Sequence, residues 1–136
     1  MATRTRSFRL SDATLKRLAE RAAETGQTAS ALAVRFIEEG LRTAAHPFVV
    51  FMDRPSGRRA MLAGTRLTVA DVVVTAKAAG SAEEAATSLN LPLWRVRAAL
   101  SYYADFREEI DAEIERDRQI SEREAARWRR EQSALA

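Results

Sequence analysis

The strongest constraint on the fold lies in the first 45 residues. A strand-like segment there is followed by two helix-like segments, and nothing within the three can cover their apolar sides. Thr5-Arg6-Ser7-Phe8-Arg9-Leu10 ends in strict polar–apolar alternation. That period sets Phe8 and Leu10 on one face of a strand and Thr5, Ser7 and Arg9 on the other. Arg6 departs from it, standing where an apolar residue is expected, so its stem packs and its head reaches water, or the strand begins at Ser7. Ser11 is a good N-cap with Asp12 behind it in the positive first turn. Leu15, Leu18, Ala19 and Ala22 recur at helical spacing, and Gly26 supplies a C′ stop. Thr28 caps a second helix whose apolar side is Leu32, Ala33, Phe36, Ile37 and Leu41. A lone strand of about six residues exposes a row of unpaired backbone groups. The economical solution is a symmetric dimer, in which two strands pair antiparallel and four helices close over them.

After His46-Pro47 the pattern changes. Phe48–Met52 is a short apolar run of β character, Pro55-Ser56-Gly57 is turn chemistry, and Ala60–Ala63 pairs back as a hairpin. Thr68 with Asp71 opens a helix from Val69 to Ala79 that stops at Gly80. Ser81 with Glu84 forms a capping box for a short helix. Asn90-Leu91-Pro92 turns, and Trp94, Val96, Leu100, Tyr103, Phe106, Ile110 and Ile114 carry an apolar stripe down a long helix. A second capping box, Ser121 with Glu124, predicts a break before a separate terminal helix. The spacing therefore predicts a mainly α chain in three parts. Residues 1–45 form a strand and two helices, and 46–112 a hairpin with a winged-helix-like, helix-turn-helix-like trio of helices. Residues 113–136 form a helical tail.

Charge is distributed unevenly. The formal net charge is +3, from 22 Lys and Arg against 19 Asp and Glu. Arg4, Arg6 and Arg9 precede any acid. The acids Glu108, Glu109, Asp111, Glu113 and Glu115 precede any base of the tail, which then turns arginine-rich. The chain has no Cys, which excludes disulfides, thiol catalysis and Cys-ligated zinc. Charges interrupt every apolar run, and no apolar stretch follows the basic first residues, so neither a membrane span nor a secretory signal is expected. A cytoplasmic protein is the expectation. The one His, His46, has no recognisable catalytic partner nearby and reads as an exposed loop residue. Gly57 and Gly64 make no phosphate loop, and the acids at 108–115 lack the glycine of a calcium loop. No enzyme activity, cofactor or metal site is expected.

Arg6-Ser7-Phe8-Arg9-Leu10-Ser11, the Gly26 turn, and Thr28–Leu32 followed by Ile37-Glu38-Glu39-Gly40-Leu41 resemble the ribbon-helix-helix domain of the Arc, MetJ and CopG repressors, over about residues 4–43. In that family the two-stranded ribbon enters the DNA major groove. The resemblance implies that Thr5, Ser7 and Arg9 meet base edges. Arg9 suits a bidentate contact to guanine, and Thr5 and Ser7 can donate or accept. Arg4 and Arg6 would sit near phosphates. The amides at Thr28, Ala29 and Ser30 would face a phosphate from the helix N-terminus.

A second resemblance covers about residues 48–112. Gly64-Thr65-Arg66-Leu67-Thr68-Val69, Gly80-Ser81-Ala82-Glu83-Glu84 and Val96–Tyr103 are similar to a small domain of unknown function. Its members are often type II, VapB-like antitoxins encoded beside a PIN-like nuclease toxin. The resemblance implies an antitoxin that represses its own operon as a homodimer or higher oligomer on double-stranded operator DNA and neutralises such a toxin. Trp128 would be an anchor in the toxin, with Arg127, Arg129 and Arg130 pairing its carboxylates. Arg95, Arg97 and Arg107 mark the third helix as an alternative DNA reader, but its large apolar residues favour a scaffold. The alternative function is a stand-alone ribbon-helix-helix regulator whose second domain senses a ligand or dimerises.

Overall fold

A computed structural model describes residues 2–136. It is mainly helical, with six helices and one two-stranded antiparallel hairpin. The helices are α1 (Asp12–Thr25), α2 (Ala29–Ala45), α3 (Val69–Ala79), α4 (Ala82–Leu89), α5 (Leu93–Asp105) and α6 (Arg107–Ala134). The strands are β1 (Val49–Arg54) and β2 (Gly57–Leu62). The chain divides into two compact units, the first ending at Arg42 and the second beginning at Thr43.

In the first unit, Ser11 Oγ accepts from the Thr14 amide at 3.1 Å and starts α1. Gly26 ends it at φ 68°, where any side chain is strained, and the Gln27 amide returns to the Ala22 carbonyl at 3.0 Å. Thr28 Oγ1 then accepts from the Ala31 amide at 3.1 Å and starts α2. The strand expected over Thr5–Leu10 is not formed in the single chain: residues 2–11 lie outside any regular element and are exposed. The physical reason is that a strand needs a neighbour for its backbone groups, and this chain supplies none there.

In the second unit, β1 and β2 pair in the register Val49↔Leu62, Phe51↔Ala60 and Arg54↔Gly57. Val49, Ala60 and Leu62 form part of one core with Val69, Val72 and Val73 of α3, Ala85 of α4, Val96, Ala99 and Tyr102 of α5, and Ile110 of α6. Local signals place the helices around that core. Thr68 and Asp71 make both halves of a capping box at the start of α3, and Gly80 ends it at φ 91°. Ser81 caps α4, and Asn90 closes it in the left-handed region at φ 54°.

Three expectations change. The long helix expected through Trp94 and Ile114 is interrupted at Phe106, whose backbone (φ −126°, ψ 41°) separates α5 from α6. The break expected at Ser121 is absent, and α6 runs unbroken. No Gly or Pro interrupts that stretch, and Arg118 ties to Glu115 and to Glu122, one turn to either side, spanning the position. His46, expected in an exposed loop, is buried. It shares a 2.7 Å hydrogen bond between Nε2 and Asp105 Oδ2 and lies edge-on to Tyr102. Among the described residues, no helix is long and apolar enough to cross a membrane.

Candidate nucleic-acid interface

The two units differ in how they treat apolar side chains. In the first, only Ala22 and Leu32 are buried among the described residues. Phe8, Leu10, Leu15, Val34, Phe36, Ile37 and Leu41 are all exposed large hydrophobics. Leu10, Leu18, Ala33, Phe36 and Ile37 line an open groove of about 690 Å³ between the arm and the two helices, rimmed by Arg17, Arg21, Glu20 and Glu24. Covering apolar surface is favourable by about 25 cal/mol per Å², so these side chains form a face that would gain from being covered.

The sequence-predicted contact residues fall around this unit. Arg4, Thr5, Arg6, Ser7 and Arg9 are exposed in the arm that leads into α1. Thr28, Ala29 and Ser30 are exposed at the start of α2, where the Thr28 hydroxyl has taken the Ala31 amide. Helix geometry leaves the preceding amides of α2 without intrahelical acceptors.

The tail residues are arranged differently from a single cluster. Arg127, Trp128, Arg129 and Arg130 are exposed on the distal part of α6, with Trp128 62 % exposed. Successive residues of a helix point about 100° apart, so Arg127 and Arg130 share one side while Arg129 faces away from them. Trp128 instead lines up with Ile110, five turns earlier. The α5 arginines are also dispersed. Arg95 lies over the Trp94 ring at 5.5 Å and Arg107, beyond the end of α5, over Tyr103 at 5.5 Å, while Arg97 is exposed. Trp94 is half-exposed and meets Phe48 in a T-shaped contact at 4.9 Å, whereas Tyr102 is fully buried.

An ionic clamp escaped the sequence reading. Arg59 of β2 is only 7 % exposed, and its Nη1 donates to Glu113 Oε1 at 2.6 Å and Asp117 Oδ2 at 2.9 Å. Its Nη2 donates to Asp117 Oδ1 at 2.6 Å and Ser56 Oγ at 2.9 Å. The Arg59 hydrogen bonds hold the Asp117 carboxyl below its ordinary value. Burial pushes the Glu113 carboxyl upward, against the pull of Arg59. The clamp fastens α6 to the hairpin and consumes both acids. Its only trace in the sequence is that Arg59 alternates with Met61 on the face of β2 opposite Ala60 and Leu62. Among the described residues, no group of three or more His, Cys, Asp or Glu side chains is placed to hold a metal ion. Comparison with protein-family models, curated proteins and solved structures found no match to this chain.

Proposed function

We propose that the chain is a DNA-binding repressor of the antitoxin type that works as a homodimer. The observation that carries this reading is the open apolar groove of the first unit, bordered by a cationic arm whose alternation suits a strand. A second copy would pair its residues 5–10 antiparallel with those of the first. Phe8 and Leu10 would then turn inward and Phe36, Ile37 and Leu15 would be covered. Thr5, Ser7 and Arg9 would face outward as a two-stranded ribbon of the width the major groove accepts. Arg4 and Arg6 would meet phosphates beside it, and the amides of Ala29 and Ser30 would meet another. The second unit is the scaffold, and the Trp128 face of α6, which Arg127 and Arg129 flank about 100° to either side and which Arg130 faces away from, is the place for a nuclease-type protein partner.

The test is selection of duplexes from a random pool by the full chain, followed by the same selection with Arg9→Ala. The parent should enrich a two-fold symmetric site. The variant should lose about 1–3 kcal/mol of discrimination at one base pair in each half-site, the value of one bidentate pair. Equal selectivity of the two proteins would remove Arg9 from the interface. No enrichment by either would remove the ribbon reading itself.

A further inference from the structure

Four arginines of α6 form a stripe that the ribbon does not use. Arg116, Arg123, Arg127 and Arg130 fall within an arc of about 60° on a straight helix and extend over roughly 21 Å of its length. All four are exposed. Among the described residues, Arg123, Arg127 and Arg130 make no hydrogen bond or ion pair. The acids nearby are engaged elsewhere. Glu113 and Asp117 are held by Arg59, and Glu115 and Glu122 by Arg118. Glu124 and Glu131 lie at the margin of the arc, on the Trp128 side. Arg116 shares the field of Glu113 and Asp117, while Arg123, Arg127 and Arg130, on the distal part of that side, keep their positive charge unpaired among the described residues.

The composition of that arc points to a kind of partner. Besides the arginines that side of the helix holds Glu109, toward the start of α6, and Ala112 and Ala134, with Ile120 just beyond its edge and no aromatic residue. A protein interface needs a desolvated apolar centre, usually with an aromatic anchor, and Trp128 lies about 100° away on another side. A phosphate backbone needs only well-placed cations, and 21 Å of duplex carries roughly a dozen phosphates. Helix α6 also holds the stripe ready-ordered, with the Arg59 clamp fixing its proximal half to the second unit and the Arg118 pairs bracing the middle.

We propose that the Arg116–Arg123–Arg127–Arg130 stripe of α6 is a sequence-independent clamp for the phosphate backbone of double-stranded nucleic acid. It deepens the DNA-binding reading and rests on it only for the source of the duplex, since the stripe itself reads no bases. It would add affinity without selectivity, beside a ribbon that adds selectivity.

The test is a salt titration of the full chain on a duplex of unrelated sequence, compared with a variant carrying Arg116→Gln, Arg123→Gln, Arg127→Gln and Arg130→Gln and one carrying the same four changes to Lys. Each phosphate contact contributes about 0.9 to the slope of log affinity against log salt. The Gln variant should therefore lose about 3–4 units of slope and at least about tenfold in affinity at physiological salt. The Lys variant should keep both. All four positions are exposed, and circular dichroism checks that the helix content is unchanged. A Gln variant with the parental slope and affinity overturns the proposal. So does arginine-dependent binding of poly-glutamate that is tighter than binding of the duplex, which would assign the stripe to an acidic protein. Failure of the ribbon is a separate result: a chain that binds all duplexes alike, with a stripe-dependent slope, leaves the clamp standing.

Discussion

The first unit has two helices with caps at their ends and almost no interior, while the second has a continuous core that reaches from the hairpin to α6. Both use the same local devices: Ser11, Thr28, Thr68 and Ser81 as N-caps, and Gly26 and Gly80 in the left-handed region. Caps therefore do not separate them. The difference lies in where apolar residues find neighbours. Val69, Val72, Val73, Val96, Ala99 and Tyr102 meet one another within the chain. Phe36, Ile37, Leu41 and Leu15 are equally regular in spacing and remain exposed. Helical periodicity shows that a face is apolar and is silent on whether the cover comes from the same chain.

The largest effect that would break this comparison is a truncation in each interior. Tyr102→Ala removes a fully buried ring in contact with Phe51, His46 and Phe106. It should destabilise the second unit by about 3–5 kcal/mol, at a denaturation midpoint independent of protein concentration. Phe36→Ala should leave that transition untouched and instead raise the concentration at which the chain self-associates, as read by sedimentation. If Phe36→Ala leaves association unchanged, the exposed groove is not a dimer surface and the contrast between the units loses its meaning.

The clamp gives the next test. Arg59→Ala strands Glu113, which is 7 % exposed at its side chain, and should cost about 3–5 kcal/mol at neutral pH. Arg59→Met fills the space but leaves the same carboxylate unpaired, so it should recover only the packing share. The pH dependence has a definite sign. Asp117 has a folded pKa below its ordinary value of 3.8, so its contribution is present above that pH and lost as pH falls through the folded value. Glu113, pushed upward by burial, takes up its proton more readily in the folded protein and loses its cost on acidification. The stability gap between parent and Arg59→Ala should narrow as pH falls through the carboxylate range. A gap constant across that range would mean that Glu113 is paired or hydrated once Arg59 is gone.

What was legible in the sequence follows from range. The caps, the hairpin turn and the helix stops are decided within four residues, and Ser11, Gly26, Thr68 with Asp71, Gly80 and Asn90 announce them. The Arg59–Glu113 and Arg59–Asp117 pairs span 54 and 58 residues, and a charged residue in a strand or helix looks like a solvated one until its partner is placed. His46 and Asp105 are 59 apart and were hidden for the same reason. Ser121 failed differently, as a genuine capping pattern outweighed by helix formers and ion pairs around it. The candidate contact residues Arg4, Thr5, Ser7 and Arg9 were legible as a pattern, but the strand that would aim them needs a second chain. The helix disperses Arg127, Trp128, Arg129 and Arg130, which adjacency in sequence had grouped.

The smallest effect is the most direct comparison of the two units, because it makes the same change in both. Gly26 and Gly80 each end a helix at positive φ, 68° and 91°, and a Cβ at either would meet nothing within 4 Å. Substitution by Ala therefore introduces backbone strain of about 1–2 kcal/mol and no clash. In Gly80→Ala that strain should appear as a shift in the unfolding midpoint of the second unit, the same at every protein concentration. In Gly26→Ala the proposed dimer predicts weaker self-association, because folding of the first unit and pairing would then be linked equilibria. A Gly26→Ala protein that associates like the parent but melts earlier would show that the first unit folds before it pairs. The dimer would then be an assembly of finished parts, and the apolar groove a surface on a stable monomer.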